Sequence, residues 1–333
     1  MRRGRRRALV AVVSLVVIVL VGPFLVPVPA LEGTVDPRTL AGPDGRFARV
    51  GAIDVHHEIR GEGEPAVLLL HHFFGGVFTW RHVAPAIGEV TRTVAFDRAG
   101  FGLTSRPLRR DWTDGNPYTR AAQVALAVGL MDTLGIERAV LVGVSTGGTI
   151  AIETTLAHPD RIVGLVLINP AIDGDVGPAR WTRPVLRTPQ ARHVGRLFTR
   201  RVARGAREHL ARSWADPSRV TEADLAPYLV PLQVDHWDAG LYELVTAEAP
   251  PRLSVRLHEL DVPTLVVAGA GDRTVEPYKS RLTSEYIRGA EHVVLPECGH
   301  VPQEECPEAL LNAILPFVER ALSAADPARL DGG

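Results

Sequence analysis

Short apolar runs bounded by turn residues alternate, along most of this chain, with stretches in which apolar residues recur every three or four positions. Residues 66–70, 93–96, 138–142, 162–168, 264–268 and 293–296 are runs of the first kind, and such runs predict strands buried on both faces. Residues 47–60 predict two further strands with a turn near Gly51, and 61–65 a loop. The segments 80–88, 119–134, 149–158 and 307–322 carry the helical period, with Gly135 and Pro159 as stops. Strands alternating with helices imply an α/β fold with a mostly parallel, eight-stranded sheet covered on both faces. Between 173 and 257 the alternation lapses. Helical segments dominate there, broken by Pro178, Pro184, Pro189, Pro217, Pro227 and Pro231. This block is expected to lie over the carboxyl edge of the sheet as a helical lid. The core is then 46–172 with 258–322.

The N-terminus follows another pattern. Five arginines fall within residues 1–7, and residues 8–31 carry no charge. The best helical part, 8–21, is short, but extension to Val26 approaches the ~20 residues a bilayer needs. Two readings stand. One is an uncleaved membrane anchor with its arginines cytoplasmic and the catalytic domain outside. The other is a signal peptide cut after Val28-Pro29-Ala30, leaving a secreted protein. Residues 32–45, rich in Gly, Pro and Asp, read as a linker.

Composition excludes little. The net charge of -1 gives no overall bias toward nucleic acid. Lys279 is the only lysine, which reads as coding bias rather than chemistry. Two cysteines, Cys298 and Cys306, are too few for a disulfide scaffold. Nothing in the sequence sets an oligomeric state.

Chemistry enters at Val140-Leu141-Val142-Gly143-Val144-Ser145-Thr146-Gly147-Gly148. An apolar run ending in Gly-x-Ser-x-Gly before a helical pattern has the strand–turn–helix form of a nucleophile elbow. A serine hydroxyl needs a base and an oxyanion pocket to act as nucleophile. Downstream, Gly269-Ala270-Gly271-Asp272 follows one predicted strand and Cys298-Gly299-His300 another. The order Ser145, Asp272, His300 puts each just past a strand's carboxyl end, where α/β sheets bind ligands. His300 is then the general base, and Asp272 orients it.

These motifs, with His71-His72-Phe73 and with Glu304 and Pro307 after His300, resemble the α/β-hydrolase superfamily over residues 46–322. Within it the chain looks like the lidded group of esterases, meta-cleavage-product C–C hydrolases, perhydrolases and epoxide hydrolases. A serine at the elbow disfavours the members that use aspartate there. The resemblance implies a small-molecule substrate, no metal or organic cofactor, and an oxyanion hole made by the N–H groups of Phe73 and Thr146. Family members have glycine after the first loop histidine, where this chain has His72. Taking His72 itself as the family histidine shifts the donor to Phe74.

The expected function is hydrolysis of a carboxylic ester or related acyl bond through an acyl-Ser145 intermediate. The alternatives are C–C bond hydrolysis of a vinylogous diketone acid and a non-catalytic binding protein of the same fold. Trp237 and His72, with Phe73, are candidates for the substrate pocket. Asp97 is expected to fix backbone, and His56, His57 and His82 to be surface or core-edge residues. Cys298 and Cys306 could pair in an oxidising compartment, or pack as two small buried residues. A zinc site with His300 lacks a fourth ligand and would consume the base. The lid's first half carries Arg180 to Arg212 against one acid, Glu208, and reads as a solvated arginine-rich face or as an attraction for anionic lipid or substrate. Trp181, Trp214, Tyr228 and Trp237 are candidates for the lid's underside.

Overall fold

A computed structural model describes residues 2–173, 178–248 and 252–325. In chain order it begins with helix α1 (Arg2–Leu25) and a helical turn α2 (Pro37–Leu40), and continues through β1 (Arg46–Val50), β2 (Ile53–Arg60), β3 (Ala66–Leu70), α3 (Ala84–Gly88), β4 (Thr93–Phe96), α4 (Arg120–Thr133), β5 (Ala139–Val144), α5 (Thr146–Ala157) and β6 (Ile162–Ile168). Five helices then intervene: α6 (Arg183–Leu186), α7 (Pro189–Ala203), α8 (Ala206–Ser213), α9 (Glu222–Leu229) and α10 (Trp237–Ala247). The sheet resumes with β7 (Thr264–Gly269), α11 (Pro277–Tyr286), β8 (Glu291–Leu295), α12 (Pro302–Glu305) and α13 (Pro307–Ala325).

The eight strands form one sheet in the order β1-β2-β4-β3-β5-β6-β7-β8. β1 and β2 are antiparallel at the edge, and the rest run parallel. Side chains alternate across the sheet. Leu68 and Leu70 of β3 with Leu141 of β5 face the layer that holds Leu130 of α4 and Ile150 of α5. Val67, Leu69, Val140 and Val142 face the opposite layer, with Ile87 of α3 and Ile314 and Phe317 of α13. Burial on both faces is why these strands read as unbroken apolar runs rather than alternating ones. Because the central strands are parallel, His71, Asp97, Ser145, Asn169, Asp272 and His300 all follow carboxyl ends at one edge.

Some local expectations shift. The helix expected at 80–88 is split into a tight turn at Val77–Trp80 and α3, whose first turn holds Pro85. Proline is tolerated there because the first helical N–H groups have no partner to lose. The segment read as a linker holds the turn α2, capped by Asp36 on the N–H of Arg38. It also docks on the helical insertion, since the Val35 N–H donates to Gln233 at 2.9 Å.

Within α1, Arg5–Leu25 is 21 residues long and apolar enough to cross a membrane, and none of it is buried in the protein. Its carboxyl end does not stand alone. Gln190 of α7 donates to the Leu20 carbonyl at 3.2 Å, His193 lies 2.9 Å from the Val26 carbonyl, and the Phe24 ring packs at a tilt against that of His193.

Candidate active site

Ser145 sits between β5 and α5 with φ 53° and ψ −118°, a conformation that a non-glycine residue holds only under strain. Its N–H donates to the Ile168 carbonyl at 2.9 Å, and its own carbonyl receives Thr149 and Ala171. The flanking glycines are steric requirements. A Cβ on Gly147 would lie 2.1 Å from the Leu70 carbonyl oxygen, and one on Gly143 2.7 Å from Gly147. The turn can therefore close onto β3 only with bare backbone on each side of the serine.

Asp272 and His300 come together from separate loops. One carboxylate oxygen of Asp272 accepts the N–H groups of Thr274 and Val275, at 2.7 and 2.9 Å. The other lies 2.7 Å from His300 Nδ1. An ionised carboxylate only accepts, so Nδ1 carries the proton and Nε2 presents a lone pair. All three residues are buried.

Three supporting groups escaped the sequence reading. Asn169, at the end of β6, donates to the carbonyls of Gly299 and His300 at 3.0 Å each and accepts the Gly269 N–H at 2.9 Å. It thereby joins the loops of both partners beside the elbow. Buried Glu305 accepts from Ala215 and Asp216 of the insertion and from Gly299. The His300 N–H itself donates to Ser213, the last residue of α8, at 2.6 Å. The only sequence signal was a polar residue placed directly after a buried strand, at Asn169.

Cys298 and Cys306 are joined by a disulfide, with Cα atoms 6.0 Å apart, around the same loop. A crosslink over so short a loop stabilises by roughly 2–3 kcal/mol on loop-entropy grounds. Reduction is expected to lower the melting temperature, read by a thermal melt with and without a phosphine reductant. A melt that does not move would show the loop to be held by Glu305 and Asn169 alone.

The loop after β3 is organised by its histidines. His71 is fully buried. Its Nε2 receives the Arg98 N–H at 3.0 Å, so its Nδ1–H donates to the His72 carbonyl at 2.7 Å. Burial, with the Arg98 charge added, holds its pKa well below the ordinary value. His72 does not strain the loop as a replaced glycine would. The left-handed conformation falls on Phe74, with φ 64°, and the His72 ring turns inward. Its Nδ1 meets the Phe73 carbonyl at 2.8 Å, and its Nε2 lies 3.3 Å from the Tyr228 hydroxyl of α9. That hydroxyl donates in turn to Glu304, which also binds Arg81 at 2.6 Å.

Asp97 fixes backbone, accepting Val77 and Leu103 N–H groups at 2.6 and 2.7 Å. His56 and His57 are buried rather than at the surface, and His56 Nδ1 pairs with Asp97 at 2.7 Å. Burial pulls His56 down, but the Asp97 charge and hydrogen bond outweigh it and leave the pKa raised.

An apolar cavity of about 410 Å³ opens over Phe73 and Thr146, with Phe101, Ile150, Leu241 and Val245 among its walls. Phe73 and Thr146 both line it. His72 and Trp237 are not among its lining residues. Trp237 packs instead with Phe101, Ala203 and Leu241 in the core of the insertion. Trp214 and Tyr228 are also buried, whereas Trp181 is 82% exposed. The arginines of α7 divide. Arg192 pairs with Glu243, and Arg196 and Arg200 pair with Asp238, both acids supplied by α10. Those three are structural ion pairs, not a solvated face.

A family model described as alpha/beta hydrolase fold matches residues 65–307, most of the chain. The chain belongs to the α/β-hydrolase fold family. Among curated relatives, a 2-hydroxymuconate semialdehyde hydrolase of Pseudomonas sp. (strain CF600) is 29% identical over 84% of this chain and 96% of its own. Among solved structures, the enol-lactonase from Burkholderia xenovorans LB400 has a TM-score of 0.64 at 25% identity, covering 82% of this chain and 99% of that one. A membrane phospholipase A described as a bacterial virulence factor has a TM-score of 0.65 at 23% identity, covering 96% of this chain and 99% of its own. This α/β-hydrolase therefore shares its fold with enzymes that differ in the bond they cleave.

Proposed function

We propose that this α/β-hydrolase cleaves carboxylic esters or related acyl bonds through an acyl-Ser145 intermediate, with residues 173–257 as a lid over the site. The observation that carries the reading is the 2.7 Å bond from Asp272 to His300 Nδ1, which leaves Nε2 as a base at the same sheet edge as the strained serine. In this mechanism His300 takes the Ser145 proton as Oγ attacks the acyl carbon. The N–H groups of Phe73 and Thr146 hold the oxyanion, the latter at the amino end of α5, where the helix dipole favours negative charge. His300 then returns the proton to the leaving oxygen, and water repeats the steps to free Ser145.

The same reading takes α1 as a retained anchor, with the catalytic domain outside the cytoplasm. The contacts of Gln190 and His193 with the end of α1 support it, because cleavage after Ala30 would remove them. Intact-mass measurement of the mature protein tests this, and a mass lacking residues 1–30 would overturn it.

Likeness to the semialdehyde hydrolase supports a second reading, C–C hydrolysis of a vinylogous diketone acid. Steady turnover of p-nitrophenyl acetate without turnover of dienoate acids, lost in Ser145→Ala, is expected for the ester hydrolase. The reverse preference would favour the second reading. Failure of both in folded protein would leave a binding role.

A further inference from the structure

We propose that the lid holds a second compartment of this site, which receives a phosphate-bearing alcohol as the leaving group. The proposal rests on the serine-hydrolase reading. Beside the apolar cavity lies another of about 570 Å³, and Phe74, Phe198 and Val202 line both. Its other walls differ in charge. Arg201 and Arg204 come from the end of α7 and its turn, and Arg212 from α8, against one carboxylate, Glu208. Among the described residues none of these three arginines makes an ion pair, whereas Arg192, Arg196 and Arg200 of α7 all do.

The α8 wall of this compartment adjoins the His300 loop, since the His300 N–H donates to Ser213, the residue after Arg212. His209 lines it, and burial, aided by the charges of His72, His300 and Arg212, holds His209 down to about 4. His209 is therefore neutral near pH 7 and adds a hydrogen-bonding group without charge. Tyr228, whose hydroxyl meets His72, lines it too. The apolar cavity lies on the Thr146 side.

Reaction chemistry allots the two spaces. When the acyl–oxygen bond breaks and the acyl–Oγ bond forms, the alcohol oxygen must take its proton from His300, so the alcohol lies on that side. The acyl chain is left to the apolar cavity. The phosphorus–oxygen bonds are untouched, and water completes the cycle at the acyl-enzyme. Unpaired guanidinium groups favour phosphate, whose oxygens accept their forked N–H pairs. The arginines also sit roughly 15 Å along α7 from the residues that grip α1, at 1.5 Å per residue. A phosphate in a bilayer headgroup and one on a soluble ester are both within reach of this chemistry.

The test compares monobutyrylglycerol with monobutyrylglycerol phosphate, using the full chain in neutral detergent. Wild type is expected to favour the phosphate by about tenfold in kcat/KM, carried by KM and worth one factor of ten in binding. The preference should weaken with added salt. It should fall toward one in Arg201→Gln/Arg204→Gln/Arg212→Gln and persist in Arg288→Gln, a change outside the site. Equal kcat/KM in wild type both for this pair and for the same pair of headgroups in vesicles, or a ratio unaltered in the triple variant, would overturn the proposal. Fluorophosphonate labelling of Ser145 reports whether the triple variant is folded. If it is not, R201Q and R212Q, on separate helices, must each lower the ratio, and two unchanged ratios overturn the proposal equally. Loss of labelling and of turnover on both substrates in wild type would instead remove the serine-hydrolase reading. A parallel arm uses long-chain lysophosphatidate in phosphatidylcholine vesicles. Preference only there identifies a lipid headgroup as the source, and preference in both arms a soluble ester as well.

Discussion

Replacing Asp272 with asparagine is expected to lower kcat by about 10⁴-fold with the fold intact, as loss of tautomer control does in a Ser–His–Asp triad. The reason lies in the side chain's other partners. One Asp272 oxygen accepts two backbone N–H groups, from Thr274 and Val275. In the amide, the carbonyl oxygen must stay on that side, because the NH₂ group cannot accept. The NH₂ then faces His300 Nδ1 and can only donate to it. The proton moves to Nε2, and the imidazole can no longer accept from Ser145. Single-turnover ester kinetics with a thermal melt alongside check this. A loss smaller than tenfold in a stable variant would show that Asp272 does not set the tautomer.

The second large effect is expected at Glu305. Its carboxylate is the acceptor for the N–H groups of Ala215, Asp216 and Gly299, and so fastens the insertion to the His300 loop. Glu305→Ala strands the buried Gly299 N–H, whereas half-buried Ala215 and exposed Asp216 can turn to water. At about 1–3 kcal/mol for a buried unsatisfied donor, the cost is about 2 kcal/mol. For a chain of this size that is a fall of roughly 3 °C in Tm. Turnover should fall further than stability alone explains, because Gly299 precedes His300. Glu305→Gln keeps one acceptor oxygen and should lie between. A Glu305→Ala variant that melts with wild type would show that other contacts hold the loop.

The division between what was legible in the sequence and what was not follows the range of the interactions. Strands buried on both faces announce themselves as apolar runs, and residues 66–70 and 162–168 were placed in this way. Ser145, Asp272 and His300 were found because each follows such a run, and parallel strands bring those ends to one edge. Asp97 was readable as a backbone anchor from the turn that follows it, but its buried partner His56 was not. Asn169 reaches residues 130 and 131 positions away, and Glu305 reaches Ala215 across 90. No local pattern encodes such pairs. Three arginines of α7 read differently in the structure for the same reason. Glu243 and Asp238, which neutralise them, belong to α10, beyond two other helices. Trp237 reads in the sequence as a candidate for the pocket, yet whether a large aromatic faces a pocket or a core depends on the crossing of α7 and α10. The missing glycine draws attention to His72, but the left-handed residue of this loop is Phe74, and His72 serves as a strut against Tyr228.

Ser145 as nucleophile is tested most directly by peptide mapping with mass spectrometry after treating the full chain with a fluorophosphonate. One phosphonylated site is expected, Ser145, with labelling abolished in Ser145→Ala and strongly slowed in Asp272→Asn. Folded protein that takes no label, or takes it at another residue, would rule Ser145 out as the nucleophile.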